Sequence, residues 1–154
     1  MHRLPLIIAA IAALLVVAST AAAHADIADS TSARGAKARL TVSIEHGCGA
    51  EGASVDAVDR VAIQLPRAFG RPAPVAMPGW SSTVTGGGPY RVVWTRGRAE
   101  AFAGDLRLTT RNPAKPGAYA IPTVQYCGAA SIAWIERAVG GVEPDHPVPT
   151  VTVG

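Results

Sequence analysis

The chain has 154 residues, with 14 Lys and Arg against 11 Asp and Glu, and 49% of its residues are hydrophobic. Apart from Arg3, its basic residues run from Arg34 to Arg137 without forming a block, which argues against nucleic acid as a partner, since that binding rests on clustered phosphate contacts. A length in this range fits one domain of the usual ~100 to 150 residues with a core of its own.

At the N-terminus, Arg3 gives a short positive start, Leu6 to Ala18 form a 13-residue apolar run, and Ala21, Ala22 and Ala23 supply small residues for cleavage. These are the three parts of a secretory signal. The run is shorter than the roughly 20 residues of a membrane-spanning helix. Residues 1–23 are therefore expected to be a removed signal peptide. Residues 24–154 are expected to form one periplasmic or secreted domain without stable membrane insertion after processing. Cleavage after Ala22 or Ala25 would also satisfy small-residue chemistry, and the latter would discard His24.

From Lys37 onward apolar residues recur with period two. Leu40, Val42 and Ile44 alternate with Thr41, Ser43 and Glu45; Val61, Ile63 and Leu65 alternate with Ala62 and Gln64; Leu106 and Leu108 alternate with Asp105, Arg107 and Thr109. Such runs are half-buried strands. Further strands are expected at Trp80 to Thr85, Tyr90 to Arg96, Ala118 to Tyr126, Ser131 to Arg137 and Val148 to Val153. Glycine- and proline-rich turns separate them, including a hairpin turn at Gly86 to Pro89. The pattern predicts an all-β fold, a two-sheet antiparallel sandwich of immunoglobulin or cupredoxin type. Pro122 inside an apparent strand predicts an edge or a bulge there, because proline cannot donate to the ladder.

A first hairpin, residues 25–32 with residues 37–46 and a turn near Ala33 to Gly35, would place opposite one another residues whose numbers sum to about 69. His24 would then face Glu45 and His46. Strand parity puts His46 on the inward face and Glu45 outward. Cys48 and Cys127 are the only cysteines, and in an oxidising compartment they are expected to form a disulfide.

If cleavage follows Ala23, His24 carries a free α-amine beside its own Nδ1, and the pair can chelate one metal ion. An amine with an imidazole suits Cu(II). The alternative is that His24 merely begins a frayed terminus. The other histidines of the exported part are His46, which could instead cap a core edge, and His146, expected to be solvated in the loop "EPDHPVP". Trp94 reads as core. Trp134 in "WIE" should share a face with Glu136, as a site rim or as core beside a surface carboxylate. No Gly-x-Ser-x-Gly is present and no serine pairs persuasively with a histidine, so hydrolysis is not expected.

In order along the chain, "HADI" at 24 to 27, "HGC" at 46 to 48, "MPGW" at 77 to 80, "PTVQYC" at 122 to 127 and "WIE" at 134 to 136 resemble the YcnI-like family of exported copper-binding domains. The resemblance covers nearly all of the exported part, with Glu45 standing where such proteins commonly carry proline. It implies a β-sandwich binding Cu2+ through a brace formed by the N-terminal amine and Nδ1 of the first histidine, with an acidic residue and a tryptophan alongside. The matching positions are His24 and Trp134; the acid is Asp26, Glu45 or Glu136. The expected function is copper buffering, storage or delivery without catalysis, passing the ion to another exported or membrane copper-handling protein. The alternatives are an immunoglobulin-like adhesion or assembly module without metal, using an exposed strand edge near Pro122, and an oxidative copper enzyme using His24 with His46.

Overall fold

The computed structural model describes residues 25–29, 31–49 and 57–154, with residues 98–100 described in their backbone alone. The signal-peptide expectation for residues 1–23 and the chelating role of His24 fall outside the described residues. Among the described residues, strands follow one another in chain order: β1 (Ala25–Asp29), β2 (Lys37–Ile44), β3 (Ala57–Leu65), β4 (Ala73–Pro74), β5 (Trp80–Thr85), β6 (Tyr90–Ala101), β7 (Gly104–Arg111), β8 (Gly117–Ala120), β9 (Thr123–Cys127), β10 (Ala130–Trp134) and β11 (Thr150–Val153). Among the described residues there is no helix.

Alternation of apolar and polar side chains dictates how the strands stack. One antiparallel sheet has the order β1-β2-β7-β4 and the other the order β10-β9-β3-β6-β5, with β8 and β11 forming a short ribbon. In the first sheet Leu40 lies opposite Leu108 and Val42 opposite Leu106; in the second Val61 lies opposite Trp94 and Ile63 opposite Val92. All eight are fully or almost fully buried and belong to one hydrophobic cluster. The expected sandwich is present, and Trp94 is core.

The first hairpin has the predicted register. Ala25 pairs with Ile44 and Asp29 with Leu40, so partner numbers sum to 69. Its turn is held from outside: Asn112, buried just after β7, donates from Nδ2 to Asp29 Oδ2 at 2.7 Å and to the Thr31 carbonyl at 2.8 Å, while its backbone N–H donates to the Ala36 carbonyl at 2.8 Å. A hydrogen bond to a charged partner contributes about 1.5 to 3 kcal/mol, more than a neutral one. Asn112→Ala is accordingly expected to lower the unfolding free energy by about 2 to 3 kcal/mol in urea melts. A change below about 0.5 kcal/mol would show that the turn holds without this amide.

The hairpin at Gly86 to Pro89 joins β5 to β6 as predicted. A Cβ on Gly86, whose φ is +87°, would lie 2.4 Å from the Pro89 carbonyl oxygen, so only glycine fits that corner. The segment around Pro122 differs from expectation. Residues 118 to 126 are not one strand with an edge or bulge at Pro122. The chain leaves β8, which pairs with β11, passes through Ile121 and Pro122, and enters β9 between β10 and β3 in the five-stranded sheet. Proline lacks the N–H that a ladder would need, and it stands where the chain changes sheets. Its carbonyl still accepts the Gln64 N–H at 2.9 Å. The strand that follows Pro122, β9, is therefore interior; the outer strands of this sheet are β10 and β5.

Candidate functional site

Three rings from distant parts of the chain meet at one end of the sandwich. His46 follows β2 by two residues, half-buried, while Glu45 before it is exposed, as parity predicts. Its ring lies edge-on to Trp134 with centroids 6.3 Å apart. The ring of His146 stacks on the same indole, with centroids 5.1 Å apart and planes 27° from parallel. Trp134 itself is 3% exposed, at the end of β10.

Each ring is fixed by its own chain segment. The carbonyl of His46 accepts a hydrogen bond from Nε2 of Gln125, a fully buried side chain on β9. Two residues later the Cys48–Cys127 disulfide, with its Cα atoms 5.9 Å apart, ties this segment to the end of β9. Loop 46–48 is thus held by a buried amide and a covalent bond. Nδ1 of His46 meets the Gly47 carbonyl. A carbonyl can only accept, so Nδ1 is the donor in this contact.

His146 was expected to be solvated, and the structure corrects that reading. Beyond Trp134 the chain runs out to a glycine turn, with Gly140 at φ 63° and Gly141 at φ 80°, and returns beside itself. Glu136 donates its N–H to the His146 carbonyl at 3.1 Å, and its carbonyl accepts the Val148 N–H at 2.8 Å. Glu136 Oε2 also faces the His146 backbone N–H at 3.4 Å. These contacts draw "DHP" back over the indole, leaving His146 half-buried.

The shared face expected for Trp134 and Glu136 does not arise by strand alternation. β10 ends at Trp134, short of the expected Arg137; the tryptophan turns into the core while Glu136 stays exposed and holds the His146 loop. The structure thus brings together His46, Trp134 and His146, with Glu136 behind His146. Sequence reading missed Gln125 and His146. The only signal for the latter was the prolines stiffening its loop, Pro144, Pro147 and Pro149, which say nothing of where the loop returns.

Among the described residues no three His, Cys, Asp or Glu side chains are grouped closely enough to hold a metal ion. Of the described residues at this cluster, the imidazoles of His46 and His146 are the groups of the kind that ligate copper. Asp26 is exposed and its Oδ1 accepts the Ile27 N–H at 2.8 Å, while Glu45 stays exposed beside His46.

No family model and no curated protein matches the chain. A solved structure, a crystal structure of an uncharacterized protein from Nocardia farcinica with an immunoglobulin-like fold, is similar at 22% sequence identity with a TM-score of 0.70, over 84% of this chain and 97% of that one. This likeness shows an immunoglobulin-like fold. Among the described residues no helix is long and apolar enough to cross a membrane.

Proposed function

We propose that the protein is an exported Cu(II)-binding domain for copper buffering, storage or delivery, which captures the ion with His24 once residues 1–23 are removed. The observation that carries this reading is the register of the first hairpin. Ala25 pairs with Ile44, which brings the start of β1 next to the segment that carries Glu45 and His46. In the proposed site the terminal amine and Nδ1 of His24 chelate Cu(II), with His46 nearby and a carboxylate drawn from Asp26, Glu45 or Glu136. Trp134 limits water on the inner side.

The resemblance of "HADI", "HGC" and "WIE" to the YcnI-like family supports the same assignment, as do a fold held by a disulfide and an export signal in the sequence. No catalysis is proposed; the copper would pass to another exported or membrane copper-handling protein. With both cysteines in a disulfide and Met77 away from the histidines in sequence, soft ligands are scarce, so Cu(I) would be held more weakly than Cu(II).

The test is a Cu(II) competition titration of the exported protein, after intact mass has established that it begins at His24. His24→Ala is expected to weaken Cu(II) by roughly a hundredfold or more while leaving the circular dichroism unchanged. A wild-type affinity in that variant, or a mature chain beginning at Asp26, would overturn the brace.

A second reading draws on the immunoglobulin-like fold and on β5. This edge strand has the sequence WSSTVT, mostly exposed and free of charge and proline, and could accept an extended partner segment in an adhesion or assembly module. Metal-independent association in sedimentation would favour it.

A further inference from the structure

The outer face of the five-stranded sheet carries a cavity of about 460 Å³, unrelated to the ring cluster. Strand alternation builds it. Where Trp134 turns inward, Ile135 turns outward and is 53% exposed. Ala62 and Val124, opposite one another on β3 and β9, form the floor next to it, and Pro89 and Pro122 stand at its sides.

The one charged group among the described lining residues of this cavity is Arg91; the other polar groups are neutral. Arg91 on β6 is exposed and lies in register with Gln64 on β3, and both line the cavity. Tyr126 lines it too, and the Arg60 guanidinium sits 3.8 Å from the centre of the tyrosine ring. Among the described lining residues there is no Asp or Glu. A volume in the small-molecule range, an apolar floor and a few convergent polar groups are the usual attributes of a ligand site. A guanidinium at its rim selects for an oxyanion, which it can grip through two parallel N–H donors.

We propose that this cavity binds a small amphiphilic anion, with the apolar body over Ala62, Val124 and Ile135 and a carboxylate against Arg91. Two arginines on the face disfavour a cationic ligand, and a half-exposed Ile135 disfavours a purely polar one. The site lies on the opposite face of the sheet from Trp134, so its occupancy is independent of the copper reading.

Decanoate and decyltrimethylammonium, which share a chain and differ in charge, are the probes, both kept below micelle-forming concentrations and followed through the methyl resonances of the full exported protein. Decanoate is expected to shift the Ala62, Val124 and Ile135 methyls saturably, and the ammonium compound to bind more weakly. Arg91→Gln should weaken decanoate about fivefold, the effect of one partly exposed ion pair. Ile135→Ser should weaken both probes. Both residues are exposed, so the variants retain the fold. Equal binding of the two probes, an unchanged decanoate affinity in Arg91→Gln, or shifts elsewhere on the protein would overturn the proposal. So would methyl shifts that depend on protein concentration without ligand, which would give this face to a second copy of the chain.

Discussion

Replacing Cys48 and Cys127 together by serine is expected to lower the unfolding free energy by about 4 to 4.5 kcal/mol and the melting temperature by roughly 15 °C. The two cysteines are 79 residues apart, and closing so long a loop removes much of the freedom of the unfolded chain. The position of the bond adds to its consequence. Cys48 follows the last residues of β2 in one sheet and Cys127 ends β9 in the other, so the bond joins the two layers at the end that carries His46 and Trp134. The total stability of a domain this size is only about 5 to 15 kcal/mol, which makes the loss a large part of it. Urea melts of wild type and double variant, each with and without reductant, provide the measurement. Reductant should move the wild type to the variant's midpoint and leave the variant where it is. An unchanged midpoint in reduced wild type would show that native contacts alone hold the two layers together.

Trp134→Ala is expected to cost about 3 to 5 kcal/mol, the range for removing a buried aromatic ring from a packed core. Trp134 is 3% exposed and part of the central cluster, and it is touched on its edge by His46 and on its face by His146. Neither histidine segment can follow the side chain inward, since one is tied by Gln125 and the disulfide and the other by its bonds to Glu136. The space therefore stays largely open, which places the cost toward the upper end. Trp134→Phe keeps an aromatic ring in the same space and should lose only about 1 to 2 kcal/mol. Chemical denaturation of the two variants side by side is the check. Nearly equal losses would mean that the indole's size is not what the site is built around.

Much of this architecture was legible in the sequence, and for a local reason. Whether a side chain on a strand points inward depends on its own position in a period of two, so Leu40, Val42, Ile44, Val61, Ile63, Leu65, Leu106 and Leu108 identified their strands and inner faces without help from the rest of the chain. The register of β1 with β2 followed from a short turn, and with two cysteines only one intramolecular disulfide was available. Contacts that depend on how the layers pack and where long loops return could not be read this way. Pro122 marked an interruption, but only the arrangement of three sheets turned it into a crossing from β8 to β9. Gln125 looked like a strand residue, yet burial in the sandwich left its amide the His46 carbonyl as partner. His146 came to rest on Trp134, twelve positions away, because backbone hydrogen bonds to Glu136 bring its loop back. The sequence by itself determined most of the strands and their inner faces, because those follow from neighbours along the chain, and its two cysteines left one possible disulfide. Only the tertiary structure decided which rings meet and which outward residues enclose a cavity, because those depend on distances between segments that no local periodicity records.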